Sequence, residues 1–284
     1  MTLDLSTVLL QWAAGGLFGL WVTTRHRVVG VGYGWLLRST FLLLAVGAVL
    51  TAQGGGTGAT VSRLASAGVA LAAGVALGVS IARRSVGVRG QEEEKARRRE
   101  RVAAMADRAA PDGDDGPGGR EFDPRLDLVA PIVGFVGLLG AASAVGGPYP
   151  LSLVRLVTGA LLLGAVTDAM LLGHWYLVQP GLARGPIKEL VLLIAVVWPI
   201  EVAAFLWPTG MAQAFDGTID DGWGGLLGWT WAVSALTTIG LVGLTWLTLR
   251  ERQYSAVMAA TGLLYLAILT GFGTDLVARA VLAP

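Results

Sequence analysis

The stretch LSTVLLQWAAGGLFGLWVTT, residues 5–24, runs without one ionisable carboxylate, amine or guanidinium. Its length is close to the roughly 20 residues that carry a helix across about 30 Å of hydrocarbon. Seven more runs of this kind follow, at Val31–Thr51, Val61–Ala82, Leu128–Gly146, Leu151–Val178, Ile187–Trp207, Gly224–Leu249 and Tyr254–Leu282. A bilayer admits only helices and closed barrels as spanning structures, and these runs are too long and too continuous for barrel strands. Composition agrees: 14% of the residues are charged, against about 25% in soluble domains. The expected fold is all-α, a polytopic transmembrane helical bundle of about eight spans set in a lipid bilayer. The 41 glycines suit such a bundle, because small residues let membrane helices approach closely.

The loops orient it. Basic residues gather at 25–27, 83–101, 183–188 and 250–252, all on one side if the spans alternate, whereas the opposite loops are neutral or, in FDGTIDDGWGG, acidic. The positive-inside rule makes the basic side cytoplasmic, so both termini are expected outside a cytoplasmic (inner) membrane. The opening MTLDLSTVLLQW lacks a basic leader and a small-residue cleavage site and reads as the first permanent span. With a net charge of +1 spent on topology signals, no nucleic-acid partner is expected. The absence of cysteine excludes disulfides, thiol catalysis and iron–sulfur clusters.

Three segments result: residues 1–82 with three spans, a charged connector at 83–127, and residues 128–284 with five. The connector begins as QEEEKARRRERVAAMADR, with acid-to-base spacings that favour a helix, and continues as the linker-like AAPDGDDGPGGREFDPR. A parallel 4+4 internal duplication fits the chain, with its boundary near 147–150. A shift of 150 lays LRSTFLLLAVGAV over IKELVLLIAVVWP and pairs Arg38 with Lys188, while a shift of 148 pairs Gly16 with Gly164 and His26 with His174.

Two groups of residues carry candidate chemistry. His26 and His174 are the only histidines, and imidazoles facing each other across a pseudo-twofold seam could ligate haem iron or another transition metal. Arg38 and Lys188 could then hold the propionates of haem b or the head of a quinone, flanked by Trp175 and Tyr176. The other group consists of acids inside the apolar runs. Asp168 and Glu201 are read as proton or ion sites, since a charge at such depth costs at least about 2.5 kcal/mol and faces the interior. Pro199 is expected to kink the helix that bears Glu201. Asp275 is expected to pair with Arg279, four residues on. Neither Asp168 nor Glu201 has an acidic counterpart in the first half, where Leu20 and Thr51 are equivalent.

Three functions fit. The first is membrane electron transfer through a haem or quinone-like cofactor near the inner face. The second is a proton- or cation-coupled transporter with a mid-membrane carboxylate. The third is a non-catalytic subunit of a larger membrane complex, which would add other subunits to the lipid as partners.

Overall fold

A computed structural model describes residues 4–53, 55–84, 96, 122–179, 182–208, 210–215, 217–219, 221–251 and 253–283. Among them are eight helical spans long and apolar enough to cross a membrane, the fourth running over Pro124–Ala144: α1 (Leu5–Thr24), α2 (Val31–Thr51), α3 (Thr57–Ala82), α4 (Val129–Ala144), α5 (Tyr149–Val178), α6 (Gly185–Leu206), α7 (Leu226–Thr248) and α8 (Tyr254–Val281). A 3₁₀ turn, Pro124–Leu128, leads into α4, and a short helix, Ala212–Phe215, lies between α6 and α7. No strand occurs among the described residues. The chain is a polytopic helical membrane bundle, and its spans match the apolar runs to within a few residues. Most of the charged connector lies outside the described residues.

The helix boundaries have local causes. Asp4 caps α1 by accepting the Thr7 N–H at 3.1 Å, which satisfies one of the orphan donors of a first turn. Asp123 does the same for the 3₁₀ turn through the Arg125 N–H at 3.0 Å. Pro150 and Pro186 stand in the first turns of α5 and α6, where no N–H is needed. The glycine at 225, at φ 86°, turns the chain into α7.

Burial places α5 and α1 at the centre, with 78% and 72% of their membrane windows buried, against 28% for α7. They cross at very short range. A Cβ on Gly164 would lie 2.0 Å from the Gly15 carbonyl carbon, and one on Gly15 would lie 1.7 Å from the Ala160 oxygen. Around this seam α1 packs on α2 and α4, α5 packs on α6 and α8, α3 pairs with α4, and α7 pairs with α8. The outer surface is apolar, with Leu43, Leu50, Leu71 and Leu269 all at least 70% exposed. The interior, by contrast, holds Arg38, Asp127, Arg155, Asp168, Glu201, Asp275 and Arg279. Apolar outside with ionisable side chains turned inward is the arrangement a hydrocarbon solvent selects.

Candidate functional site

Polar side chains from α1, α5, α6 and α8 meet toward the end of the bundle opposite the basic loops. On α8, Arg279 and Asp275 form the expected pair through two bonds of 2.8 Å, Nε to Oδ2 and Nη2 to Oδ1. Arg279 Nη2 also donates to the Arg155 carbonyl at 3.2 Å. Arg155, on α5, is spent on backbone: its Nε donates to the Ala204 carbonyl and its Nη2 to the Trp207 carbonyl, both at 2.9 Å. Those are orphan acceptors at the C-terminus of α6, the negative end of its dipole, which explains a buried cation on the side poor in basic residues. Gln11 of α1 donates to the Leu156 carbonyl at 2.8 Å, while its Oε1 has no partner.

Glu201 sits within this group, fully buried on α6. Its carboxyl is in contact with the Thr158 hydroxyl of α5 and faces that of Asp275, and its Oε1 accepts nothing. The Thr158 hydroxyl also lies 2.8 Å from the Val154 carbonyl. A hydroxyl has one hydrogen to give. If it goes to Val154, the contact with Glu201 needs a proton from Glu201. Space for the group comes from Gly159, where a Cβ would approach Asp275 Oδ1 to 2.5 Å and Gln11 Nε2 to 2.8 Å. Pro199, two residues before Glu201, lies inside α6 and removes the N–H that would bond the Ala195 carbonyl.

Asp168 is elsewhere. It stands ten residues beyond Thr158 on α5, about 15 Å along the axis, so the structure does not bring it to Glu201. Asp168 is fully buried against α1, and neither of its carboxyl oxygens has a hydrogen-bond partner. A Cβ on Gly19 would lie 2.3 Å from its Oδ2.

The two histidines share no partner. His26 is exposed on the loop after α1 and lies 3.0 Å from Glu189, which also takes a 2.8 Å bond from Arg25. His174 is exposed on α5, with Nδ1 3.3 Å from the Tyr265 hydroxyl of α8. Arg38 is occupied by Asp127, Nε to Oδ1 at 2.8 Å and Nη2 to Oδ2 at 2.7 Å, and by the Ser80 hydroxyl at 3.2 Å. Lys188 is half-buried in the first turn of α6. Trp175 donates to Gln179 at 3.0 Å and leans on Tyr33, with ring centroids 6.1 Å apart. Tyr176 is buried, donates to the Ala183 carbonyl and accepts the Tyr254 hydroxyl on its own carbonyl at 3.2 Å. Each candidate of the histidine group other than Lys188 thus has a protein neighbour of its own, and they do not converge on one space. Among the described residues no group of three or more His, Cys, Asp or Glu is placed to hold a metal ion.

Sequence reading missed Gln11, Arg155, Thr158 and Asp127. Arg155 was visible as a cation inside an apolar run, and Asp127 as an acid at the entrance of one. Comparison with protein-family models, with curated proteins and with solved structures finds no match to this chain.

Proposed function

We propose that this protein is a proton-coupled membrane transporter in which Glu201 is the group that binds and releases the proton. One observation carries the reading: a fully buried carboxyl has an unpartnered oxygen, a neighbouring acid and a hydroxyl partner whose single hydrogen is contested by the Val154 carbonyl. With its proton, Glu201 can donate to Asp275 or to Thr158, while Arg279 balances Asp275 and Arg155 keeps the α6 carbonyls as its partners. Without it, two carboxylates face each other, a repulsion eased by the guanidinium groups of Arg279 and Arg155. Both states are therefore accessible, and they differ by one charge in the middle of the α5, α6 and α8 contact.

The helix that carries the acid is the one with a missing backbone bond. Loss of the proton would repel Glu201 from Asp275 and load α6 where Pro199 has weakened it, which couples proton binding to a bend in that span. Opening α6 against α5 and α8 is the motion through which a solute could pass. The positive-inside rule places the basic loops in the cytoplasm and the Glu201 end outside.

The test is a rapid pH jump on vesicles that contain the full-length protein, adsorbed to a capacitive membrane. Proton binding to a buried site displaces charge and gives a transient current without any solute. The wild type is expected to give the transient and Glu201→Gln to lose the larger part of it, while His174→Ala keeps it whole. A wild-type protein without a transient, or a Glu201→Gln variant that retains it in full, overturns the reading.

A further inference from the structure

We propose that Asp168 is a second proton-binding site, served from the basic side of the membrane through the Tyr33 hydroxyl. The site itself stands on observations separate from those at Glu201. Only its place as the inner partner of Glu201 rests on the reading above.

Asp168 has no exposure, and neither carboxyl oxygen has a partner. α1 meets it with Gly19 and α2 with Tyr33, whose own neighbour on α5 is Tyr176. No hydrogen bond or ion pair reaches its carboxyl among the described residues. An ionised carboxyl in hydrocarbon without a cation or a donor is strongly disfavoured, so this arrangement suits the neutral acid. The glycine at position 19 matters here, since any larger residue would drive the carboxyl out of its space. Permanent burial would make Asp168 a costly way to fill a position that Leu20 fills in the first half. A route for its proton makes sense of it.

The route assigned here runs from the basic side through Thr23 and Tyr33. Tyr33 is the third residue of α2, close to the basic side, and its ring is fully buried. Its hydroxyl lies 3.5 Å from the Asp168 backbone carbonyl, the outer limit of a hydrogen bond, and touches the Thr23 side chain near the end of α1. Little holds it in place. The residues after these two in the chain, Thr24 and Gly34, line a recess of about 50 Å³ at the basic-side surface, room enough for water.

On uptake, the Tyr33 hydroxyl turns from the backbone carbonyl to the Asp168 carboxylate and gives up its hydrogen as it takes one, through the Thr23 hydroxyl, from a hydronium ion in the recess, which is left as water. The sum is a carboxylate plus one proton giving a carboxylic acid, with only O–H bonds made and broken. Release runs the same steps backward. Asp168 and Thr158, the α5 partner of Glu201, stand about 15 Å apart along that helix, so the inner and outer stations are too far apart for a direct hop and α5 is the element that touches both.

Infrared spectroscopy of the reconstituted full-length protein tests this. A protonated carboxyl has a carbonyl stretch that an ionised one lacks, and the stretch moves when O–H becomes O–D. The wild type should show two such bands. Isotopic labelling of the aspartate carboxyls should shift one of them, which Asp168→Asn removes and Glu201→Gln leaves. Tyr33→Phe should keep that band but slow its exchange in D₂O by on the order of a hundredfold. The proposal fails if labelling shifts no protonated band, if the band never exchanges, or if Tyr33→Phe exchanges at the wild-type rate. A missing glutamate band alone would overturn the reading of Glu201 and leave that of Asp168 standing.

Discussion

Arg38 on α2 grips Asp127 in the turn ahead of α4 through two side-by-side bonds, at 2.8 and 2.7 Å, with both side chains almost wholly buried. Two further hydroxyls join the pair: Thr24 of α1 donates to Asp127 Oδ2 at 3.1 Å, and Ser80 of α3 accepts from Arg38 at 3.2 Å. One ion pair thus ties the basic ends of the first four helices together, and it fixes where the connector re-enters the membrane.

Removing one partner strands the other charge. Asp127→Ala is expected to destabilise the protein by about 3–5 kcal/mol, whereas the double change Arg38→Met with Asp127→Leu should come much closer to wild type. Reversible denaturation in mild detergent measures both. A single variant as stable as wild type would show that the pair holds nothing together.

The spans were legible in the sequence because hydrocarbon thickness sets their length and the apolar runs report it directly. Helix faces were not. A membrane helix such as α1 or α2 is apolar all round, so the periodicity that marks the buried side of a soluble helix is absent. That is why His26 and His174 could be paired at equal depth and yet turn to different neighbours, Glu189 and Tyr265. The acids were legible for the opposite reason, since Asp168, Glu201 and Asp275 stand out against hydrocarbon. Their partners were harder to see. Thr158 and Gln11 are ordinary in a membrane helix until the fold places them beside a carboxyl or a carbonyl from another span.

The α1–α5 seam makes a sharper claim about glycine. At Gly164 an added Cβ would meet the backbone of Gly15 and Gly16 at 2.0–2.4 Å, and backbone, unlike a side chain, cannot rotate away. Gly164→Ala is expected to force the two central helices apart and to destabilise the protein by about 1–3 kcal/mol. By contrast Gly240, with no atom near its added Cβ, should accept alanine and gain slightly in helix propensity. Thermal unfolding of the two variants, side by side, checks the contrast.

Outside the membrane, Asp221 organises the entrance to α7. Its Oδ1 accepts the N–H groups of Gly225 and Trp223 and its Oδ2 that of Leu227, each at 2.9 Å. The Gly225 N–H, followed by those of Trp223 and Leu227, holds this exposed carboxyl below the usual carboxylate range. A depressed value means that the capping contribution is complete above the ordinary aspartate range and fades as pH falls through the lower, folded value. Hydrogen exchange at the amides of Trp223, Gly225 and Leu227 should therefore lose protection only in acid. Asp221→Ala should abolish that protection at every pH, and equal protection in the variant would sink the assignment.

Arg279 and Asp275 offer the clearest separation of structural from functional charge. They are one turn apart on α8, fully buried and bonded twice, so Arg279→Gln leaves Asp275 without its cation beside Glu201. The loss should be about 3–5 kcal/mol, and replacing Asp275 by Asn in the same chain should recover much of it, because the stranded charge rather than the missing contact accounts for most of the damage. Glu201→Gln removes no cation and keeps the shape and a hydrogen-bonding head, so its effect on stability should stay within about 1 kcal/mol. Denaturation of the four proteins, read beside the pH-jump currents, tells the roles apart: Glu201→Gln should be stable and lose most of its current. If it instead unfolds as readily as Arg279→Gln, Glu201 belongs to the scaffold and not to the proton.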